Sequence, residues 1–350
     1  MTDIAIADEA QTSVDVRPAA RRRLPGLPPV ARYSGLYMIL AFIGIYSLWV
    51  PDTFLTTTTL KSLLSEYSLV MIAAIGVLFT LSVQCFDLTA AAMIGFAAVL
   101  SAWLTGPQGI NVVVAILLVL ACGLLVGAVN GFLVVIVGID SFIATLGMMA
   151  VVGAVTIKIA NNSFVVGVPE SLTRLADPKP FGLPITAIYA VVLAVGAWAF
   201  LEHTPTGRRM YATGADLEAA RLAGVATGQL RFVSFLVTAS FTSVAGILLT
   251  SQFKSASPGQ GPGYLLPIFA AALLGATQIR PGRVNVPGTV VAILLLAIGI
   301  KGLQLAGVEL WITNLFNGAA LIVAVAGSEL SKKALGARIT RRKALAARDS

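Results

Sequence analysis

Charged side chains are scarce in this chain of 350 residues. They make up 11% of it, against about 25% in an average soluble domain. Apolar residues make up 57%, and the mean hydropathy is +0.90. The apolar residues occur in long runs, which favours membrane spans over an oversized soluble core. The composition therefore argues against an ordinary soluble domain.

Residues that carry catalysis or bind metals are also few. The chain has two cysteines, Cys85 and Cys122, and one histidine, His203. Both cysteines lie in or beside apolar runs, so we interpret them as packing residues rather than a disulfide framework. The sequence has no Gly-x-x-x-x-Gly-Lys-Ser/Thr loop, so we expect no ATP site of that kind. We therefore expect neither an enzyme nor a cofactor or metal site.

Ten apolar segments follow one another along the chain. An α-helix needs about 20 apolar residues to cross a bilayer, and most of the segments approach that length. We therefore predict an all-α, polytopic membrane protein with about ten transmembrane helices. The segments lie near residues 34–51, 64–84, 87–104, 110–137, 141–160, 183–202, 231–252, 264–279, 286–306 and 309–327.

The segments define a transmembrane domain at 34–328, with one long polar loop at 204–230. Basic tails flank it at 1–33, which we expect to be disordered, and at 329–350. Of the 24 lysines and arginines, 18 fall on one side if both termini are cytoplasmic, and four fall in the opposite loops. Because basic residues collect at the cytoplasmic face, both termini are predicted inside. The net charge of +8 is then a topology signal, and we expect no nucleic acid partner.

The glycines of the fourth segment are spaced four residues apart, at Gly123, Gly127 and Gly131. Glycines at this spacing share one helix face and let another backbone approach closely. Dense packing within the bundle and a contact between two subunits both explain the pattern.

The loop at 204–230 is basic at its start and has a Glu-Ala-Ala core. Small residues would let a short helix lie against a groove of another protein, and a glycine after it would end the helix in the left-handed conformation. The arginines would reach carboxylates on that partner. A solvated loop that obeys the positive-inside rule is the alternative. The residues concerned are Gly207, Arg208, Arg209, Gly214, Glu218, Ala219, Ala220, Arg221 and Gly224.

Three stretches together resemble the sugar-type permeases of bacterial ABC importers, the ribose, xylose and arabinose family. They are Phe86-Asp87-Leu88-Thr89, Asp140 to Gly147, and Gly207 to Gly224 with its continuation to Thr289. The loop at 204–230 resembles the coupling loop of these permeases, which receives the ATPase subunit. The resemblance extends over about residues 34–330.

This resemblance implies a membrane-spanning permease bundle in the bacterial inner membrane, which translocates a monosaccharide by alternating access. The implied partners are ABC ATPase subunits, a periplasmic sugar-binding protein, a second permease copy or homologous permease subunit, and membrane lipid. Loops near 161–182 and 253–263 would receive the binding protein.

Six residues are candidates for the translocation pathway, and each has a structural alternative. Helix capping explains Asp87, a hydrogen bond between helices explains Asn130, and lipid contact or packing explains a phenylalanine. Lys301 would either line a wet pathway or extend to the interface. The candidates are Asp87, Asn130, Phe142, Thr145, Phe269 and Lys301.

Other functions remain open. An ABC permease of the same kind would carry nucleosides, branched-chain amino acids or a signalling molecule. An ion-coupled secondary transporter would need acidic residues within the membrane, whereas Glu66, Asp87, Asp140, Glu202 and Glu309 are all predicted at segment ends.

Overall fold

The computed structural model describes residues 33–309 and 311–326. The two predicted tails, apart from Tyr33, lie outside the described residues. The longer helices are α1 (Ser34–Trp49), α2 (Thr57–Ser82), α3 (Thr89–Thr105), α4 (Val112–Gly131), α5 (Ser141–Ala160), α6 (Ile185–His203), α7 (Pro205–Ala215), α8 (Leu217–Leu222), α9 (Thr227–Phe253), α10 (Leu265–Gly275), α11 (Val286–Leu305) and α12 (Trp311–Ala326).

The expected all-α, polytopic architecture is confirmed. Six helices are long and apolar enough to cross a membrane: α2, α4 with its continuation to Val137, α5, α6, α9 and α11. Four shorter apolar helices, α1, α3, α10 and α12, accompany them. The described part of the chain thus holds ten apolar helices, the number predicted from hydropathy. Three of the loops between them carry four short helical turns, at Pro51–Phe54, Glu170–Thr173, Pro180–Gly182 and Gly261–Tyr264.

The second helix starts earlier than the sequence predicts. α2 begins at Thr57 rather than near residue 64, because the Thr56 side chain accepts the N–H of Thr59 at 3.1 Å and caps the helix. Hydropathy alone overlooks this polar first turn. As a result Glu66 lies well inside α2, and its predicted position at a segment end was wrong.

The eighth apolar segment is divided between a helix and a loop. α10 ends at Gly275, and residues 276–285 turn back toward α11. The buried amide of Asn285 holds this turn, because its Nδ2 donates to the carbonyl oxygens of Gly275 and Gln278, both at 3.2 Å. Its Oδ1 accepts the N–H of Gly288 at 2.8 Å and caps α11. One side chain therefore satisfies backbone groups that the end of a helix leaves free.

α9 lies at the centre of the bundle, packed against α2, α3 and α4. Two of its buried hydroxyl groups bond to carbonyl oxygens of neighbouring helices: Thr238 donates to Gly76 of α2 at 2.8 Å, and Thr250 donates to Ala98 of α3 at 2.7 Å. These bonds join helices without leaving the hydroxyl groups unsatisfied in an apolar interior.

The glycine repeat of α4 packs against α9. A Cβ atom on Gly127 would lie 2.8 Å from the carbonyl oxygen of Phe235 and 2.9 Å from the Cβ of Ala239. A Cβ atom on Gly131 would lie 2.7 Å from the ring of Phe232. The repeat therefore serves packing within the bundle, which was the first of the two explanations of the glycine spacing.

The helix ends form two groups of loops. At one end, called here the arginine-rich end, the 204–230 loop and the 276–285 loop lie near the C-terminus of α2. At the opposite end, Val165 and Ala256 form an isolated antiparallel bridge, and Ser251 donates to the carbonyl oxygen of Leu172 at 2.8 Å. These contacts join the 161–182 and 253–263 loops.

We predict that Gly127→Ala destabilises the protein by about 1–3 kcal/mol, because the added methyl group overfills a backbone contact. Gly147→Ala is the matched control, since a Cβ atom there meets nothing within 4 Å. The measurement is the midpoint of thermal unfolding of the purified proteins in detergent. Equal midpoints for the two variants would contradict the close α4–α9 contact.

Candidate functional site

The 204–230 loop folds into two short helices, α7 and α8. α7 begins where the Thr204 side chain accepts the N–H of Gly207 at 3.0 Å, with Pro205 at the first helical position. α8 begins where Asp216 accepts the N–H of Ala219 at 2.9 Å. Gly224 follows α8 with a φ of +81°, the left-handed conformation that the sequence predicted.

The inner face of α7 is fixed against the bundle. Met210 and Thr213 are buried. A Cβ atom on Gly214 would overlap the carbonyl oxygen of Ser82, and one on Gly207 would overlap the backbone of α6 near Leu201. Both predicted glycines thus allow backbone contact, and α7 is seated on the ends of α2 and α6.

The outer face of α8 is exposed. Glu218 and Arg221 form an exposed ion pair at 3.1 Å, and Leu222 is 84% exposed. Ala219 is also exposed, whereas Ala220 is buried and faces the protein. We call Leu217, Glu218, Ala219, Arg221 and Leu222 the α8 surface. Arg208 and Arg209, on α7, are exposed as well.

The chain leaves the helical conformation between α2 and α3, at residues 83–88. Two hydroxyl groups at the start of α5 hold this break. Ser141 accepts the N–H of Phe86, and Thr145 accepts the N–H of Leu88, both at 3.1 Å. The Thr145 hydroxyl group donates in turn to the carbonyl oxygen of Ser141 at 2.7 Å. The break is therefore satisfied by side chains of a neighbouring helix.

Three of the predicted pathway residues meet at this break. Thr89 is the link, since its hydroxyl group donates to the carbonyl oxygen of Thr145 at 3.1 Å and accepts Asn130 Nδ2 at 3.0 Å. The carboxylate of Asp87 is buried and accepts the N–H of Thr89 at 3.1 Å. Within the described residues, the buried Oδ1 of Asn130 has no hydrogen-bond partner.

Aromatic rings lie beside this polar cluster. The ring of Phe86 stacks on that of Phe269, with centroids 6.3 Å apart and planes at 22°. Phe269 is buried and Phe86 is partly exposed. Phe142 lies on the exposed side of α5, about half exposed. The structure thus brings Phe269 next to the break and leaves Phe142 on an outer face.

Lys301 is far from this cluster. It lies near the C-terminus of α11, at the opposite end, where its Nζ lies 3.3 Å from Glu66 Oε2. The sequence did not predict this partner, because the two residues are 235 positions apart in the chain. The ion pair lowers the cost of placing either charge within a membrane helix.

A second polar cluster lies at the arginine-rich end. Glu202, near the C-terminus of α6, has a side chain only 6% exposed. Arg283 Nη2 donates to both of its carboxylate oxygens, at 3.0 and 2.7 Å, and Arg280 pairs with the same carboxylate. The guanidinium carbon of Arg283 lies 4.2 Å from the ring centroid of Tyr211, on α7. Sequence reasoning missed this cluster.

The tyrosine of this second cluster stays neutral at physiological pH. Burial and, secondarily, the charge of Glu202 raise the pKa of Tyr211 to about 12. Its contact with Arg283 is therefore between a cation and a neutral ring.

Comparison with known proteins identifies the family. Residues 59–325 match the family described as the branched-chain amino acid transport system permease component. The ribose import permease protein RbsC of Escherichia coli K12 is 30% identical over 299 residues, which cover 83% of this chain and 92% of that protein. The chain belongs to this permease family. The resemblance to sugar-type ABC permeases is thereby confirmed.

Two other relatives extend the comparison of the permease. The ribose permease of Bacillus subtilis is 28% identical over 295 residues, 84% of this chain and 90% of that protein. The autoinducer 2 import system permease protein LsrD of Photorhabdus luminescens is 29% identical over 273 residues, 76% of this chain and 82% of that protein. No solved structure matches the permease. These relatives favour an ABC permease over an ion-coupled transporter.

We predict that Thr145→Val weakens the break in the permease, because the N–H of Leu88 loses its acceptor inside the protein. A buried donor without a partner costs about 1–3 kcal/mol. Thr145→Ser keeps the hydroxyl group and serves as the control. Hydrogen exchange of the amides of residues 86–89 should be faster in the valine variant only. Equal protection in all three proteins would show that the hydroxyl group does not hold the break.

Proposed function

We propose that this permease is the membrane-spanning subunit of an ATP-binding cassette importer for a monosaccharide. A periplasmic binding protein delivers the sugar, and a separate ATPase subunit hydrolyses ATP. The observation that carries the proposal is the match to the ribose permease of Escherichia coli, which covers 83% of this chain and 92% of that protein. Two copies, or one copy and a homologous subunit, would enclose the pathway.

The α8 surface is the proposed ATPase contact. It combines an exposed leucine with an exposed ion pair on a short helix, the mixture of apolar and polar groups that protein interfaces use. α7 supports it through glycine contacts with the ends of α2 and α6. A displacement of the α8 surface would therefore also move α2 and α6, because α7 is packed directly against their ends.

The break between α2 and α3 is the proposed inner part of the pathway. The backbone of the break is enclosed by protein, since Ser141 and Thr145 of α5 accept the N–H groups of Phe86 and Leu88. Asp87, Asn130 and Thr145 supply polar groups there, and Phe269 borders them. We assign Lys301 to the outer part of the pathway and Phe142 to the wall that faces the second subunit.

We assign the arginine-rich end to the cytoplasm, together with both tails. The basic side chains at this end and in the tails support the orientation through the positive-inside rule. The joined 161–182 and 253–263 loops then face the periplasm and receive the binding protein.

A signalling molecule is the second candidate cargo, because the chain is also 29% identical to an autoinducer 2 permease. Uptake of labelled ribose by membranes that contain the whole importer, with unlabelled allose, galactose or autoinducer 2 in competition, distinguishes the two. Competition by autoinducer 2 alone would favour the second candidate.

We predict that thiol labelling reports the orientation. Leu222 and Phe181 are strongly exposed at the two ends of the bundle, so each position accepts a reactive cysteine. A membrane-impermeant maleimide should label Phe181→Cys in intact spheroplasts, and Leu222→Cys only after permeabilisation. The reverse pattern would overturn the proposed orientation.

We predict that Glu218→Lys reduces recovery of the ATPase subunit with the affinity-purified permease at least about tenfold, a loss of about 1.4 kcal/mol. The substitution reverses one charge on the α8 surface. Recovery of the ATPase, identified by mass spectrometry, is compared at equal amounts of permease.

Glu170→Lys is the matched control for ATPase recovery. Glu170 also forms an exposed ion pair one helical turn away, with Arg174 at 3.1 Å, but at the opposite end. The control should retain the ATPase. Equal recovery with both variants would remove the α8 surface from the contact, and failure of the unaltered permease to recover any ATPase would overturn the proposed function.

A further inference from the structure

The strongest group of charges that the proposed function leaves unused is the cluster of Glu202, Tyr211, Arg280 and Arg283. It joins three separate parts of the arginine-rich end: the C-terminus of α6, the helix α7, and the 276–285 loop. The side chain of Glu202 is 6% exposed, whereas those of Arg280 and Arg283 are 44% and 39% exposed. The carboxylate is therefore sheltered from water, and the outer sides of the two arginines are solvated.

The contacts of Arg283 are directional. Its guanidinium group donates to both oxygens of Glu202 and lies against the ring of Tyr211 at 4.2 Å. A guanidinium group is planar and can stack on a ring while one of its nitrogens donates to a carboxylate, whereas the ammonium group of lysine is a point charge. The position of the 276–285 loop is therefore tied to the position of α7.

The side chain of Asn285 holds the 276–285 loop behind Arg283. The Nδ2 of Asn285 donates to the carbonyl oxygens of Arg283 at 3.1 Å and Gly275 at 3.2 Å. The loop therefore connects Arg283 to the last turn of α10 and the first turn of α11. α10 carries Phe269, which stacks on Phe86 at the break between α2 and α3.

We propose that Glu202, Arg283 and Tyr211 form a clasp that transmits movement of α7 to α10 and α11 during the transport cycle. The proposal rests on the proposed function of the α8 surface, but it adds the route from that surface to the pathway. The three residues are positioning residues, since each acts through helices that border the pathway. Arg280 supports the clasp by sharing the carboxylate.

A contact between Glu202 and Arg283 does not by itself show that the two residues are coupled in transport. A double-mutant cycle tests that coupling. We expect Glu202→Gln and Arg283→Gln each to lower sugar uptake about fivefold or more. The ATPase should still co-purify, and ATP hydrolysis should continue without transport. Sugar uptake by the double variant should be no lower than uptake by the less active single variant, because the second substitution removes a contact that the first has already broken.

The experiment measures uptake and ATP hydrolysis in vesicles that hold the complete importer, normalised to the amount of permease. Asp52→Asn is the control for a change from carboxylate to amide, since Asp52 is exposed at the opposite end. It should transport as the unaltered importer does. Unchanged uptake in Glu202→Gln, or losses that add in the double variant, would overturn the clasp.

Recovery of the ATPase separates the two proposals. If Glu202→Gln loses the ATPase, the cluster supports docking and the clasp is wrong, while the proposed function stands. If the unaltered permease recovers no ATPase, the proposed function itself fails.

Variants of Tyr211 test the clasp a second time, without removing the charge of Glu202 or Arg283. Tyr211→Phe keeps the ring face against Arg283 and should retain most uptake. Tyr211→Leu removes that face and should lose uptake while keeping the ATPase. Equal uptake by the two variants would contradict a role for the ring.

Discussion

The constraint on which this structure depends is that a peptide group buried away from water must find a hydrogen-bond partner within the protein. Regular helices meet this constraint along most of the chain. At residues 83–88 the helix stops, and the hydroxyl groups of Ser141 and Thr145 replace the missing partners. Because these hydroxyl groups belong to α5, the break fixes α5 against α3. Thr89 then extends the network to Asn130 of α4.

A small number of buried hydroxyl groups is enough to define the packing of the permease, although most of its side chains are apolar. Hydroxyl groups on α9 bond to carbonyl oxygens of α2 and α3, so few strongly polar side chains are needed to specify the packing. Most of the charged side chains of the described residues lie in loops or near helix ends, and Glu66, inside α2, is an exception. The buried Glu202 is neutralised by two arginines, and Lys301 is paired with Glu66. This distribution agrees with the proposed role as a subunit that takes its energy from a partner.

Much of the fold could be predicted from the sequence, since each apolar run corresponds to a helix. The left-handed Gly224 followed from local chemistry, and the spacing of Gly127 in the repeat predicted a close helix contact but not which helix it meets. The start of α2 could not be predicted from hydropathy, because Thr56 and its capping bond are polar. The pairing of Glu202 with Arg283 joins residues separated by 81 positions, and no local pattern records such a contact. The exposure of Leu222 depends on how α8 is rotated, which only the folded chain determines.

The close contact of α4 with α9 has a mechanical consequence. Where two backbones touch through glycines, sliding one helix along the other by even a fraction of a turn drives a main-chain atom into its neighbour. Such a helix–helix interface resists sliding far more than an interface lined by flexible side chains. α4 and α9 should therefore move as one rigid body when the bundle opens and closes. The freedom to rearrange is left to helices whose ends are joined by side-chain bonds, which can break and re-form.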